Sequence, residues 1–136
     1  MPNDWNTKII EEFRANEGRV GGAFEGAPMV LLTTTGARSG RPHTTPLVPY
    51  EDGDRIYVFA SMAGAPKHPA WYFNLLAHPD VTVERGTEAY RAKAEIITGG
   101  ERDRIYASQA ALRPVFAEYQ AKTTRKIPVI ALTRID

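Results

Sequence analysis

The chain has 136 residues, 43% hydrophobic and 24% charged, with a formal net charge of +1 and no cysteine. That length suits one domain with a real core, and the near-neutral balance argues against a protein built to coat nucleic acid. The lack of cysteine excludes disulfides and thiol chemistry and suits a cytosolic enzyme, and no apolar run approaches the roughly 18 residues of a membrane span.

The first element is an amphipathic helix over residues 4–16, where Trp5, Ile9 and Phe13 recur every fourth residue and Asn3 or Asp4 can cap the start. The segment over 1–12 is polar and mixed in charge, so it is no signal peptide, while peripheral membrane contact through this helix stays open. A glycine-bearing loop over 18–26 follows. Strands are expected over 28–35 and 41–50, joined at Gly36 to Gly40 as a hairpin. Pro42, Pro46 and Pro49 cannot donate ladder hydrogen bonds, so the second strand is an edge or bulged strand. A tight turn at Asp52-Gly53 leads to a central strand over 55–60.

The next stretch, Ala60 to Pro79, organises the rest. It leaves a buried strand, makes a turn of small residues, and enters a short helix with Pro69 at its first position. Backbone N–H groups, a helix end and Lys67 together make a recipe for an anion site. Strands over 81–84 and 88–97 come next; in the second, Tyr90, Ala92, Ala94 and Ile96 face inward, and the small alanines leave room for something bulky. A long helix over 101–122 places Ile105, Leu112, Phe116 and Tyr119 on one face, and Pro114 kinks or splits it. A last strand runs over 128–133. Adjacent strands with short turns favour an antiparallel sheet, and six strands with two or three helices suggest a small closed or split β-barrel. The expectation is one domain, 1–136, with an N-terminal helix and loop over 1–26 and the barrel over 27–136.

Familiar catalytic motifs are missing. There is no Gly-x-Ser-x-Gly elbow, phosphate-loop lysine motif or His-Glu-x-x-His, and His43, His68 and His78 lack metal-ligand spacing, so no metal site is expected. An organic cofactor would then supply the hard chemistry. Arg38, Arg41 and His43 around the hairpin, with Lys67 in the second turn, read either as solubilising charge or as a site for phosphate or carboxylate. Trp71 and Tyr72 read as core or as pocket wall. Asn74 reads as a cap, and Ser61 as a turn hydroxyl or as a donor to a cofactor ring or reacting oxygen. Tyr106, Phe116 and Tyr119 form core or, past the break at Pro114, a pocket roof.

Leu31-Leu32-Thr33-Thr34-Thr35-Gly36, Gly40-Arg41-Pro42, Thr45-Pro46-Leu47, Ala60-Ser61 and the run Gly64-x-x-Lys67-x-Pro69-x-Trp71-Tyr72-x-Asn74 together resemble the deazaflavin-dependent nitroreductase family, actinobacterial oxidoreductases that use coenzyme F420. The stretch from Tyr119-Gln120 to Ile127-Pro128-Val129 fits too. The resemblance implies a mainly β fold with flanking helices, a split β-barrel of six or so largely antiparallel strands related to flavin-binding barrels. It implies F420 in a groove, acidic tail on basic residues and ring inside. The hairpin would contribute Arg38, Arg41, His43, Thr45, Pro46 and Leu47 to cofactor binding. The second turn would contribute Ala60, Ser61, Met62, Gly64, Ala65 and Lys67, and the helix Trp71 and Asn74. Phe116 and Tyr119 would cover the substrate, with Ser61 and Tyr119 as hydrogen-bond donors to the reacting oxygen.

The family often has basic residues at the positions of Ala37 and Met62 and an arginine at that of His43, which implies a looser grip on the anionic tail here. Phe116 and Arg113 stand where tyrosines would favour nitroimidazole activation, which implies poor prodrug reduction. The expected activity is F420H2-dependent reduction of an electron-poor acceptor such as a quinone or nitroaromatic, with no nucleic-acid partner. The expected setting is cytoplasmic, with a homodimer and peripheral contact at the inner face of the cell membrane both open. The alternatives are an FMN-binding split-barrel oxidoreductase and a non-catalytic protein that binds F420 or an apolar ligand.

Overall fold

The computed structural model describes residues 4–21, 28–53 and 55–135, without the side chains of Asp4 and Trp5. The expected cap at Asn3 or Asp4, the Trp5 side chain and the loop over 22–26 lie outside the described residues. Helix α1 (Asp4–Ala15) is followed by strands β1 (Val30–Thr35), β2 (Pro42–Leu47), β3 (Tyr50–Asp52) and β4 (Arg55–Phe59). Then come helix α2 (Ala70–Ala77), strands β5 (Asp80–Arg85) and β6 (Glu88–Ile97), helices α3 (Gly99–Leu112) and α4 (Val115–Ala121), and strand β7 (Val129–Arg134).

The seven strands form one antiparallel sheet in the order β2-β1-β5-β6-β7-β4-β3. Only Val48 and Pro49 separate β2 from β3, yet these strands are the two edges. The sheet must therefore roll until its edges approach, which is the geometry of a split barrel. Arg85 of β5 reaches Glu51 of β3 through a hydrogen bond of 3.1 Å, across a gap of three strands in sheet order, as only a curled sheet allows. The single strand expected over 41–50 is thus two. Leu47 pairs with Val30 at one edge, Tyr50 pairs with Tyr57 at the other, and Pro49, lacking an N–H, sits at the split.

Apolar residues inside the curl close the core. Val30, Leu32, Ile56, Val58, Val83, Ile130 and Leu132 pack with Trp71 and Leu75 of α2, and Tyr90, Ala92 and Ala94 of β6 join that cluster as the alternating pattern required. Each such large side chain contributes roughly 1.5–3 kcal/mol when fully buried. A second cluster joins Tyr57, Phe59 and Val129 to Ile105, Tyr106 and Phe116 of α3 and α4. A third seats Ile9 and Phe13 of α1 against Val20, Met29 and Leu31.

Three local expectations change. Pro114 splits the long helix, so α3 ends at Leu112, and the expected common face is broken there: Leu112 is 69% exposed while Ile105 and Phe116 are buried. Pro69 is the cap rather than the first helical residue, because its extended ψ of 156° leaves the helical first position to Ala70. The strand over 55–60 lies next to the edge strand β3 rather than at the sheet's centre. Among the described residues no helix is long and apolar enough to cross a membrane.

Candidate functional site

The chain leaves β4 into a turn of reversed hand. Ser61 is right-handed (φ −76°, ψ −39°), and then Met62, Ala63 and Gly64 follow at φ 47°, 54° and 82°. The left-handed region costs roughly 1–2 kcal/mol for each residue with a side chain, so Met62 and Ala63 are strained. The turn closes with Gly64 N–H donating to Ser61 O at 2.9 Å and Ala65 N–H donating to Met62 O at 3.0 Å. The amides of Ser61, Met62 and Ala63 have no partner among the described residues. A right-handed residue followed by a left-handed one turns successive N–H groups to the same side, which makes a concavity suited to anionic oxygens.

Two supports hold this conformation. On one side α4 lies so close that a Cβ on Gly64 would sit 2.7 Å from Tyr119 O. On the other, the Arg125 guanidinium donates to Ala60 O (3.0 Å), Ser61 O (2.8 Å) and Ala65 O (2.9 Å), and its Nη1 lies 3.0 Å from His68 Nδ1. The His68 ring rests 4.7 Å from that of Tyr72. Burial, and then the Arg125 charge, hold the His68 pKa below its ordinary value, so the ring is neutral at pH 7 and Nδ1 accepts from Arg125.

The hairpin turn between β1 and β2 is built differently. Gly36 N–H donates to Arg41 O and Gly40 N–H donates to Gly36 O. Among the described residues it is attached to the body by Asn74, buried in α2, whose Oδ1 accepts from Ala37 N–H at 3.0 Å while its Nδ2 donates to Thr34 Oγ1 at 3.2 Å. Asn74 is therefore a stitch between helix and hairpin, and not a local cap. Arg38, Arg41 and Lys67 are exposed and form no ion pair among the described residues.

Between these turns opens a cavity of about 1360 Å³. It exceeds the roughly 300–1,000 Å³ of an ordinary small-molecule site and has room for two flat molecules. The edge strand β2 forms one wall through His43, Thr45, Pro46 and Leu47, and Arg38 stands at its rim. Ser61, Met62 and Ala63 form the opposite turn, with Trp71 and Asn74 of α2 beside them. Phe116 and Tyr119 of α4 make the aromatic wall, their rings 5.4 Å apart, and Phe59 packs 5.4 Å from Phe116. Ser61 Oγ and Tyr119 Oη make no hydrogen bond among the described residues and are free to serve a guest.

The cavity gathers most of the residues that the sequence nominated. Ala60, Gly64, Ala65, Arg41 and Lys67 stand outside its lining: Ala60 and Gly64 are buried behind the turn, and Arg41 and Lys67 project to solvent. Tyr106 also stays out. Its hydroxyl donates to Phe116 O at 2.6 Å and burial pushes its pKa up to about 12, so it braces the aromatic wall from behind. Sequence reasoning missed Arg125, a single basic residue in a polar loop with no signal that it reaches back some sixty positions. It also missed Ile10 of α1, which lines the far end of the cavity, because nothing in a helical repeat says what the helix will cover.

Comparison with known proteins agrees along almost the whole chain. The family model of the F420H(2)-dependent quinone reductases matches residues 5–134. An F420H(2)-dependent quinone reductase of Mycobacterium tuberculosis is 38% identical over 128 residues, spanning 90% of this chain and 85% of that protein. A solved F420-H2 dependent reductase (FDR-A) superposes with a TM-score of 0.71 at 42% identity, covering 77% of this chain and 93% of the other. A second structure, described as a domain-swapped dimer, superposes with a TM-score of 0.73 at 37% identity, covering 97% and 99%.

Proposed function

The chain belongs to the F420H(2)-dependent quinone reductase family, and from that premise we propose how its own residues serve that oxidoreductase activity. The donor set fits the cofactor. Three unpartnered amides at Ser61, Met62 and Ala63, with Arg38 across the cavity, suit anionic and carbonyl oxygens, while Pro46, Leu47 and Trp71 offer flat apolar surface to a ring. The free strained turn is the observation that carries this reading: a backbone held at such expense with its amides open needs a guest to bind.

Reduced F420, when bound, would supply the hydride that, together with a proton taken up from solvent, reduces a quinone to its hydroquinone. The protein's part is to hold both molecules in register, which is worth several kcal/mol of barrier in an aligned complex. Phe116 covers the acceptor and keeps water from it. Tyr119 Oη and Ser61 Oγ donate hydrogen bonds to the acceptor oxygen as it gains negative charge, an effect of about 3–4 kcal/mol for a well-aimed donor. Nitroaromatics, with an oxygen of similar reach, are the second acceptor class. Arg41 and Lys67 act only at long range on the cofactor's anionic tail. We also propose a homodimer formed through exposed sheet edges, as the domain-swapped relative and the open β2 edge suggest.

Titration of the apo-protein with oxidised F420 and with FMN, followed by tryptophan fluorescence, tests the cofactor. Saturation by F420 with little response to FMN is expected, and preference for FMN overturns the reading. Tyr119→Phe should lower kcat for menadione reduction about 100- to 1000-fold with the F420 Kd changed less than about twofold. Unchanged kcat removes Tyr119 from the chemistry.

A further inference from the structure

We propose that Arg125 is a positioning residue for the cofactor, holding the left-handed turn at Ser61 to Gly64 in the form that presents its free amides, with His68 holding Arg125 in turn. The inference rests on the reading that this turn binds F420.

Arg125 grips the turn on both sides of its strained residues. Its guanidinium donates to Ala60 O and Ser61 O where the turn begins and to Ala65 O where it ends, so the three carbonyls fix the entry and the exit together. Residues at positive φ persist only where their surroundings over-determine them, and a planar fork that bonds three carbonyls is such a surrounding. No carboxylate pairs with Arg125 among the described residues, so its charge lies unneutralised behind the amides and adds to their pull on an anion. A structural arginine at a surface more often answers an acidic side chain, as Arg14 answers Glu84 here.

Its own placement is determined from two further sides. Gln120 of α4 donates from Nε2 to Arg125 O at 2.8 Å, and Gln120 Oε1 accepts from Ile127 N–H and from Arg102. The same short helix carries Phe116 and Tyr119, so one residue ties the amide turn to the aromatic wall. His68 Nδ1 accepts from Nη1, and the ring is wedged against Tyr72 and Phe73 of α2. Arg125 thus joins three elements that line the cavity, although its own side chain stays outside that lining.

The test uses Arg125→Ala and Arg125→Lys in the full chain. Amide hydrogen exchange in the apo-protein should show protection at Gly64 and Ala65 falling about tenfold or more, with β6 and β7 unaffected. The F420 Kd should rise about tenfold in the alanine variant, a larger change than the fall in kcat with menadione at saturating F420H2, where bound cofactor re-seats the turn and the Ser61 hydroxyl with it. Guanidinium ion at millimolar concentration should recover part of that affinity. If the alanine variant does not fold, the lysine variant carries the test, since one ammonium cannot bond three carbonyls. Wild-type protection at Gly64 and Ala65, or an unchanged Kd, overturns the proposal. A wild-type protein that fails to bind F420 defeats the underlying reading instead, and the exchange result still decides whether Arg125 holds the turn.

Discussion

The two turns that border the cavity solve the same problem in opposite ways. The hairpin turn from Gly36 to Gly40 is exposed from Ala37 onward, has one residue at positive φ, a glycine, and is attached to the body through Asn74. The turn from Ser61 to Gly64 puts two non-glycine residues at positive φ and is pinned by a guanidinium on one side and a helix backbone on the other. The first is held to the body at one point; the second is held on two sides. A pre-set group of donors needs no reorganisation on binding, and its strain is offset by bonds made elsewhere in the fold.

Exchanging a glycine in each turn makes the sharpest test of that contrast. Gly64→Ala adds a left-handed penalty and drives a Cβ to 2.7 Å from Tyr119 O and 3.0 Å from Lys122 Cβ. Backbone cannot yield cheaply there, so the loss should be about 2–4 kcal/mol by urea denaturation, together with a fall in turnover as α4 is pushed away. Gly40→Ala meets nothing within 4 Å and carries only the φ of +69°, so its loss should stay near about 1–2 kcal/mol. Equal losses would mean that the second turn is not clamped between its supports.

The sequence told much of this and stopped at identifiable places. The edge position of β2 showed through Pro42 and Pro46, because a residue without an N–H cannot serve a ladder on both sides, whereas the split at Pro49 did not show and 41–50 read as one strand. The alternation of Tyr90, Ala92 and Ala94 declared its face, and Pro114 declared the break between α3 and α4. One wall of the cavity, with Ser61, Met62, Trp71 and Asn74, came from a single stretch where local chemistry was dense enough to read. What could not be read was the support. Arg125 acts through contacts on the order of sixty positions away, and Asn74 holds a turn nearly forty positions earlier. Such pairings follow from the topology β2-β1-β5-β6-β7-β4-β3, which no local pattern specifies. For the same reason Lys67, beside the right residues in sequence, falls outside the cavity lining.

Removing the hairpin's stitch should have a smaller effect than Gly64→Ala. In Asn74→Ala the Thr34 hydroxyl, in a residue only 1% exposed, and the part-buried Ala37 N–H both lose their partner. A buried unsatisfied group costs roughly 1–3 kcal/mol, so about 2 kcal/mol of stability should go, with faster exchange at the Ala37 amide. Exchange at Gly64 and Ala65 should not change. If it does, the two turns are one cooperative unit and the contrast between them fails.

The smallest effect separates the turns by pH. His68 accepts from Arg125 only as the neutral ring, and its pKa in the fold lies below the ordinary 6.5 through burial first and the Arg125 charge second. Over the window between that lowered value and 6.5 the unfolded chain binds more protons than the folded one. Stability therefore is fully present above about pH 6.5 and falls as the pH drops through the folded value, with a slope below about 1.4 kcal/mol per pH unit for one group. Protonation also sets an imidazolium against the guanidinium beneath the turn. His68→Gln keeps an acceptor near Arg125 and removes the titration, so its stability should be flatter than wild type as the pH falls below about 6.5. The comparison is of slopes, because the lost ring contact with Tyr72 shifts both ends alike. Protection factors at Gly64 and Ala65, corrected for the intrinsic slowing of exchange in acid, should fall in the wild type at acid pH and hold steady in the variant, while those at Ala37 in the hairpin behave identically in both. A parallel acid response at Ala37 would place the titrating group somewhere other than behind the left-handed turn.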